Sequence, residues 1–315
     1  MNEMNTTPAG ASGGNEYARE DSDVRILRPA RTREEWPPIP PEDAAGLRQI
    51  CLIDVETTGL DWTRHHVIEV CAARMQVDAA GRILGLRSIG EGLEDPGHPL
   101  PPEITELTGL TDAMLHGKVI DRDKLAACIS SCEAVVAFNS AFDRPFIEAL
   151  LPDLPRMPWA CAMKDVQWRE LGFEPGPQNY LLMQTGYFPP SAHRARQDVL
   201  SLVQLLSHAY SDGESLMAKL LATIAAPAWR FEATRAPYEA RHALKDRGYR
   251  FRKQGRGALW HKHVRFSEYD AELAWYRETI GMEPSTAELP ATERYRDERS
   301  WTSITPQGGW PSYLR

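Results

Sequence analysis

Short apolar runs punctuated by turn residues dominate the first two thirds of the chain, and they predict strands before helices. Gln49-Ile50-Cys51-Leu52-Ile53 reads as a buried strand, because polar residues do not interrupt its apolar run. Residues 67–77 and 82–89 read as two more strands, with Asp78-Ala79-Ala80-Gly81 as the turn between them. Helical spacing takes over at 102–107, 111–115 and 121–131. A strand at 134–138, a helix at 142–151, a strand near Trp159 and helices at 163–171 and 178–185 follow. The longest helix, 195–210, places Val199, Leu202, Val203, Leu205, Leu206 and Ala209 at helical spacing. Strands first, then alternating helix and strand, predict a three-layer α/β domain with a mixed sheet.

The texture changes after Ala225-Ala226-Pro227. Trp229-Arg230-Phe231 reads as a strand, and 237–247 as a helix with Pro237 at its start and Gly248 just past its end. Residues 249–253 and 259–266 flank the turn Gln254-Gly255-Arg256-Gly257, and Ser267 opens a helix that runs to Ile280. Together these predict a small C-terminal βαββα module. The polar, Gly- and Pro-bearing start and the Pro-punctuated end lack any period. The organisation expected is a disordered leader over 1–46, a main domain over 47–212, a linker over 213–227, a basic module over 228–280 and a flexible tail over 281–315.

Composition narrows the class. At 315 residues and 42% hydrophobic content the chain can bury a large core, and no stretch of eighteen apolar residues occurs to span a membrane. The polar N-terminus lacks the charge and apolar run of a signal peptide. Of the five cysteines, three sit in apolar runs, so reduced thiols and a cytoplasmic location are expected. Cys128 and Cys132 are four apart, but no further ligand stands at zinc spacing. The net charge of −8 is uneven: residues 228–269 carry eleven Lys or Arg against four Asp or Glu, leaving the remainder near −15. That segment is either a grip for phosphate or a solvated basic face. His261 and His263 on its second hairpin strand are a weak metal signal.

Three motifs carry the candidate chemistry. In Asp54-Val55-Glu56-Thr57-Thr58-Gly59, the carboxylates two apart on a strand share a face, a costly pairing without compensation. In Phe138-Asn139-Ser140-Ala141-Phe142-Asp143, the acid falls at a strand-to-helix junction, where it is either a site residue or a first-turn helix acid. In His193-Arg194-Ala195-Arg196-Gln197-Asp198, the acid shares a helix face with Leu202 and Leu205. On one continuous helix His193 and Asp198 would lie about 140° apart, so both reach one site only if His193 precedes the helix. Pro189-Pro190-Ser191 just upstream supports that placement.

Taken together, the motifs resemble those of the DnaQ-like 3′-to-5′ exonucleases, in the subclass with four acids and a histidine (DEDDh), similar to the proofreading epsilon subunit of bacterial DNA polymerase III. Asp54 and Glu56 match the first motif, Asn139, Phe142 and Asp143 the second, and His193 and Asp198 the third. The sibling subclass has a tyrosine where Arg194 stands. Glu106-Leu107-Thr108-Gly109-Leu110-Thr111 matches a segment between the first two motifs. The resemblance covers about 47–212 and implies a ribonuclease H-like fold. It also implies two Mg²⁺ or Mn²⁺ ions held by Asp54, Glu56, Asp143 and Asp198, with His193 as general base. Thr57, Gly59, Leu60, Asn139 and Phe142 would bind the terminal nucleotide. The implied reaction releases nucleoside 5′-monophosphates from 3′ ends of single-stranded or frayed DNA, in proofreading, repair or end trimming. Exoribonuclease action is the alternative, as is a nucleic-acid-binding or partner-binding adaptor. A polymerase or repair partner and a homodimer are compatible with the resemblance. Trp301, Trp310 and Tyr313 of the tail are candidate anchors for a partner.

Overall fold

The computed structural model describes residues 25–37, 39, 47–191, 193–210, 213–254 and 257–296. Arg28–Pro29 (β1) is a two-residue strand, followed by a short 3₁₀ turn at Arg33–Glu35. The sheet begins with Arg48–Thr57 (β2), Val67–Val77 (β3) and Ile83–Leu93 (β4). β4 runs beyond the expected 82–89, because β3 offers ladder partners as far as Leu93. Pro102–Thr108 (α1), Asp112–Leu115 (α2) and Arg122–Ser130 (α3) follow. Thr111 and Asp121 cap the last two through side-chain oxygens, satisfying backbone N–H groups at the helix starts. Ala134–Ala137 (β5), Ser140–Leu150 (α4), Trp159–Cys161 (β6) and Ala162–Asp165 (α5) come next. The helix expected over 163–171 stops at Asp165, whose carboxylate accepts the Cys161 N–H at 2.8 Å and closes a single turn. Beyond it, Val166, Trp168 and Phe173 pack into the core without helical spacing. Gln178–Gln184 (α6), Tyr187–Phe188 (β7), Ala195–Leu206 (α7) and Leu216–Ala225 (α8) complete this part.

The five-stranded sheet has the order β4-β3-β2-β5-β6, antiparallel through β4-β3-β2 and parallel through β2-β5-β6. Period-2 alternation along β2 divides its side chains between two cores. Ile50 and Leu52 point into a cluster with Leu182, Val199, Leu202 and Leu206 of α6 and α7. Cys51, Ile53 and Val55 point the other way, onto Leu125, Ile129, Phe146 and Ile147 of α3 and α4. The domain is therefore a three-layer α/β fold with a mixed sheet, as the hydrophobic pattern predicts. Asp54 and Glu56 fall on the even face, toward α7.

Three expectations about its flanks need correction. Part of the leader is ordered: β1 pairs in parallel with β7, and Ala30 and Trp36 are buried in the larger core. The linker contains α8, whose Leu216, Met217, Leu220 and Leu221 pack into that same core. The tail begins with structure as well. After Ala228–Glu232 (β8), Arg241–Asp246 (α9), Arg250–Gln254 (β9), Gly257–Arg265 (β10) and Tyr269–Ile280 (α10), Ser285–Glu288 (β11) adds to the module. The result is a four-stranded antiparallel sheet of order β11-β8-β10-β9.

Residues 289–296 then run back over the main domain. Arg144 is wholly buried and donates to the carbonyls of Arg294 (2.5 Å) and Thr292 (2.7 Å), while the Trp159 N–H on edge strand β6 donates to Ala291 O. These bonds satisfy a buried guanidinium and an open sheet edge, which is why the segment is held. Trp301, Trp310 and Tyr313 lie outside the described residues. The basic face of the module is only partly solvated. Arg252 (5% exposed) and His261 (2%) are buried near Glu232, with Arg252 3.8 Å and Arg230 3.0 Å from its carboxylate.

Candidate active site

β2 ends at the site. Asp54 and Glu56 project from its even face, and the first turn of α7 brings Asp198 over them, so that ligand oxygens of all three lie within 4.8 Å of one another. Among the described residues this is the one cluster of three or more His, Cys, Asp or Glu with metal-binding spacing. The Cys128/Cys132 and His261/His263 pairs do not form another. Asp143 comes from the opposite layer. It sits in the first turn of α4, 3% exposed, and its Oδ1 accepts the Val55 N–H at 3.3 Å, between the two strand acids.

The acids strain against one another electrostatically. Burial, then the charges of Asp198 and Glu69, push Glu56 up to about 8. Burial lifts Asp143 to about 7, against the opposing effect of the Val55 N–H bond. Burial also raises Asp198 to about 6, and the nearby His193 charge and N–H bonds from His193 and Arg194 restrain it. Asp54 goes well above the carboxylate range through burial and the neighbouring Asp143, Asp198 and Glu56. Asp54 and Glu56 therefore favour their protonated forms at neutral pH unless a cation takes the proton's place. The donor set is all carboxylate oxygen, which fits a hard divalent cation such as Mg²⁺ or Mn²⁺.

His193 lies outside α7, whose N-cap is Arg194. Its backbone is left-handed, φ 61°, an arrangement that costs a non-glycine residue about 1–2 kcal/mol. That twist turns its N–H onto Asp198 Oδ2 at 3.0 Å and leaves the imidazole exposed at the rim. Leu60 stands 85% exposed beside the end of β2, and the Phe142 ring packs at a tilt against Phe146, centroids 5.1 Å apart. Asn139 is the N-cap position of α4, and the Thr57 hydroxyl donates to Gly59 O at 2.7 Å. At Gly59 the space a Cβ would need is filled by the His65 ring, 2.6 Å away.

Sequence reading missed Glu69. It pairs with Glu56 across β2 and β3, is 1% exposed, and accepts from Arg194 Nη2 at 2.7 Å and Nε at 3.1 Å. It also accepts the Ala195 N–H at 3.0 Å. Glu69 thus clamps the entry of α7, and with it the backbone that sets His193 and Asp198. An acid in the middle of an apolar strand was the available signal.

Residues 51–152 match the family model described as exonuclease (RNase T type), a stretch that includes the first two motifs. Over that stretch, about a third of its length, the chain is similar to the exonuclease family. The third motif lies beyond the matched stretch and joins the other two only through α7. Among relatives, the PolC-type DNA polymerase III of Streptococcus pyogenes is 38% identical over 120 residues, covering 37% of this chain and 7% of that protein. The Listeria monocytogenes counterpart is 37% identical over 102 residues, covering 31% and 6%. The chain thus spans less than a tenth of the length of these relatives. Solved structures similar to it include exonuclease X in complex with 5′-overhanging duplex DNA (24% identity, TM-score 0.38, covering 54% of this chain and 99% of that one). Another is the zinc-bound E. coli ExoI–ssDNA complex (16% identity, TM-score 0.41, covering 58% and 47%). No helix among the described residues is long and apolar enough to cross a membrane.

Proposed function

We propose that this exonuclease domain is of the DEDDh type and removes nucleoside 5′-monophosphates from the 3′ end of single-stranded or frayed DNA. The observation that carries the reading is the meeting of Asp54, Glu56 and Asp198 within 4.8 Å, with Asp143 anchored on Val55 beside them. In this reading the four carboxylates hold two Mg²⁺ or Mn²⁺ ions, which when bound supply an acidified water and charge stabilisation for the departing oxygen. His193, exposed at the rim, accepts the proton from the attacking water at its imidazole, as a general base. Leu60 and Phe142 flank the last base, while Thr57, Gly59 and Asn139 shape the backbone around it. Burial of Asp143 and its bond from the Val55 N–H fix that carboxylate beside the other three.

The test is digestion of 5′-labelled single-stranded DNA and RNA of the same sequence, with Mg²⁺, with chelator, and with Asp198→Asn. A ladder shortening from the 3′ end, lost with chelator and in the variant, is the expected result. The faster polymer identifies the substrate, with DNA expected. Clean binding of both without cleavage would replace this reading with the adaptor function.

A further inference from the structure

A cleft of about 870 Å³ opens between the exonuclease domain and the four-stranded sheet, within the size range of sites that enclose sizeable ligands. Two links in the chain connect it to the second motif. Ala141, two residues before Asp143, lines it, and α5, which contributes Lys164, is tied to the second motif by the Met163 N–H on Phe138 O at 2.9 Å. Six Lys or Arg line this cleft against three Asp or Glu, in a protein whose overall charge is −8. The acids are partly engaged: Asp165 accepts from the Cys161 N–H and the Tyr295 hydroxyl, and Glu268 pairs with Arg265. Arg294 donates to the carbonyls of Thr223 and Ala226, which fixes the guanidinium without cancelling its charge.

The module's wall is chemically two-sided. Strand alternation puts Arg250, His261 and His263 on the sheet face that lines the cleft, with Arg250 and His263 exposed. Phe266, which follows β10, presents a ring 53% exposed on the same lining. Fixed cations beside an exposed ring are what a single strand requires: phosphates follow the charge, and a base stacks on the ring.

We infer that this cleft holds the nucleotides on the 5′ side of the scissile phosphate, so that the module grips single-stranded nucleic acid as the exonuclease domain trims it. The inference rests on the 3′-to-5′ reading above, because only removal from the 3′ end leaves the remaining strand leading away from the acids on its 5′ side. A protein partner in the cleft would leave oligonucleotide affinity independent of these side chains.

The experiment compares a 20-nucleotide single-stranded DNA with p-nitrophenyl thymidine 5′-phosphate, a substrate too short to enter the cleft. The full chain, Arg250→Ala/His263→Ala and Phe266→Ala are assayed, and each variant's thermal melt is recorded. The ratio of kcat/KM on the 20-mer to that on the ester is expected to fall roughly 5- to 100-fold in Phe266→Ala, the range for losing one stacked base. In the double variant, the salt dependence of 20-mer binding is expected to flatten by about 0.7 per lost phosphate contact. An unchanged ratio and salt slope in folded variants would overturn the inference. Failure of the unaltered protein to hydrolyse even the ester would instead overturn the exonuclease reading.

Discussion

Arg194 offers the sharpest test of how the site is held. Its guanidinium meets Glu69 along two edges, at 2.7 and 3.1 Å, while Glu69 itself is 1% exposed and faces Glu56 across the ladder. At about 4 Å between charge centres and an effective dielectric near 20, such a pair is worth about 4 kcal/mol. The Arg194 side chain is 36% exposed, so solvent screening brings the expected coupling to about 2 kcal/mol. Arg194→Gln would leave the buried Glu69 charge opposed only by the Ala195 N–H, and would release the backbone that places His193 and Asp198. We expect turnover to fall about 10- to 100-fold, since a displacement of about 1 Å at a reacting group costs on that order. Arg194→Lys would recover little, because an ammonium cannot reproduce the two-edged contact. The assay is a double-mutant cycle of Glu69→Gln and Arg194→Gln, read by denaturant unfolding and by nucleotide release. An interaction free energy below about 0.5 kcal/mol would reduce the pair to an ordinary surface contact and refute the clamp.

Other consequences can be measured directly. His193→Ala should lose on the order of 10²- to 10⁴-fold in rate while metal-dependent DNA binding persists, and near-normal turnover would remove His193 from the chemistry. Glu56, Asp143 and Asp198 stand at about 8, 7 and 6 when folded, above their ordinary 4.5, 3.8 and 3.8. The native state therefore binds more protons than the unfolded chain, and in chelator stability should fall as pH rises from about 4 to about 8. Saturating Mg²⁺ should then raise the melting midpoint more at pH 8 than at pH 5, and equal rises would contradict the cation-binding role of these acids. Leu202→Ala, in the α7 face against β2, should destabilise by about 2–5 kcal/mol in denaturant titration, since the side chain is 1% exposed.

Local pattern determined much of this protein. The alternation along β2, the helical spacing of Val199, Leu202 and Leu206, and the turn residues between strands are short-range signals. They fix which face each side chain takes, and so which face Asp54 and Glu56 share. His193 just ahead of α7 was legible for the same reason, from the prolines upstream. α8 was missed and its stretch read as a linker, although Leu216, Met217, Leu220 and Leu221 recur at helical spacing. Only tertiary structure decided what depends on chain segments meeting. Glu69 and Arg194 are 125 residues apart, and Arg144 and Arg294 are 150 apart. Neither pairing leaves a periodicity to read. The strap at 289–296 looks like tail because its order comes from carbonyls that satisfy a buried guanidinium and a sheet edge, not from its own side-chain pattern. Trp36 and Ala30 are buried for a similar reason, since β7 supplies the partner their segment lacks. Local sequence specifies faces and turns, whereas the compensation of a buried charge is a property of the folded chain.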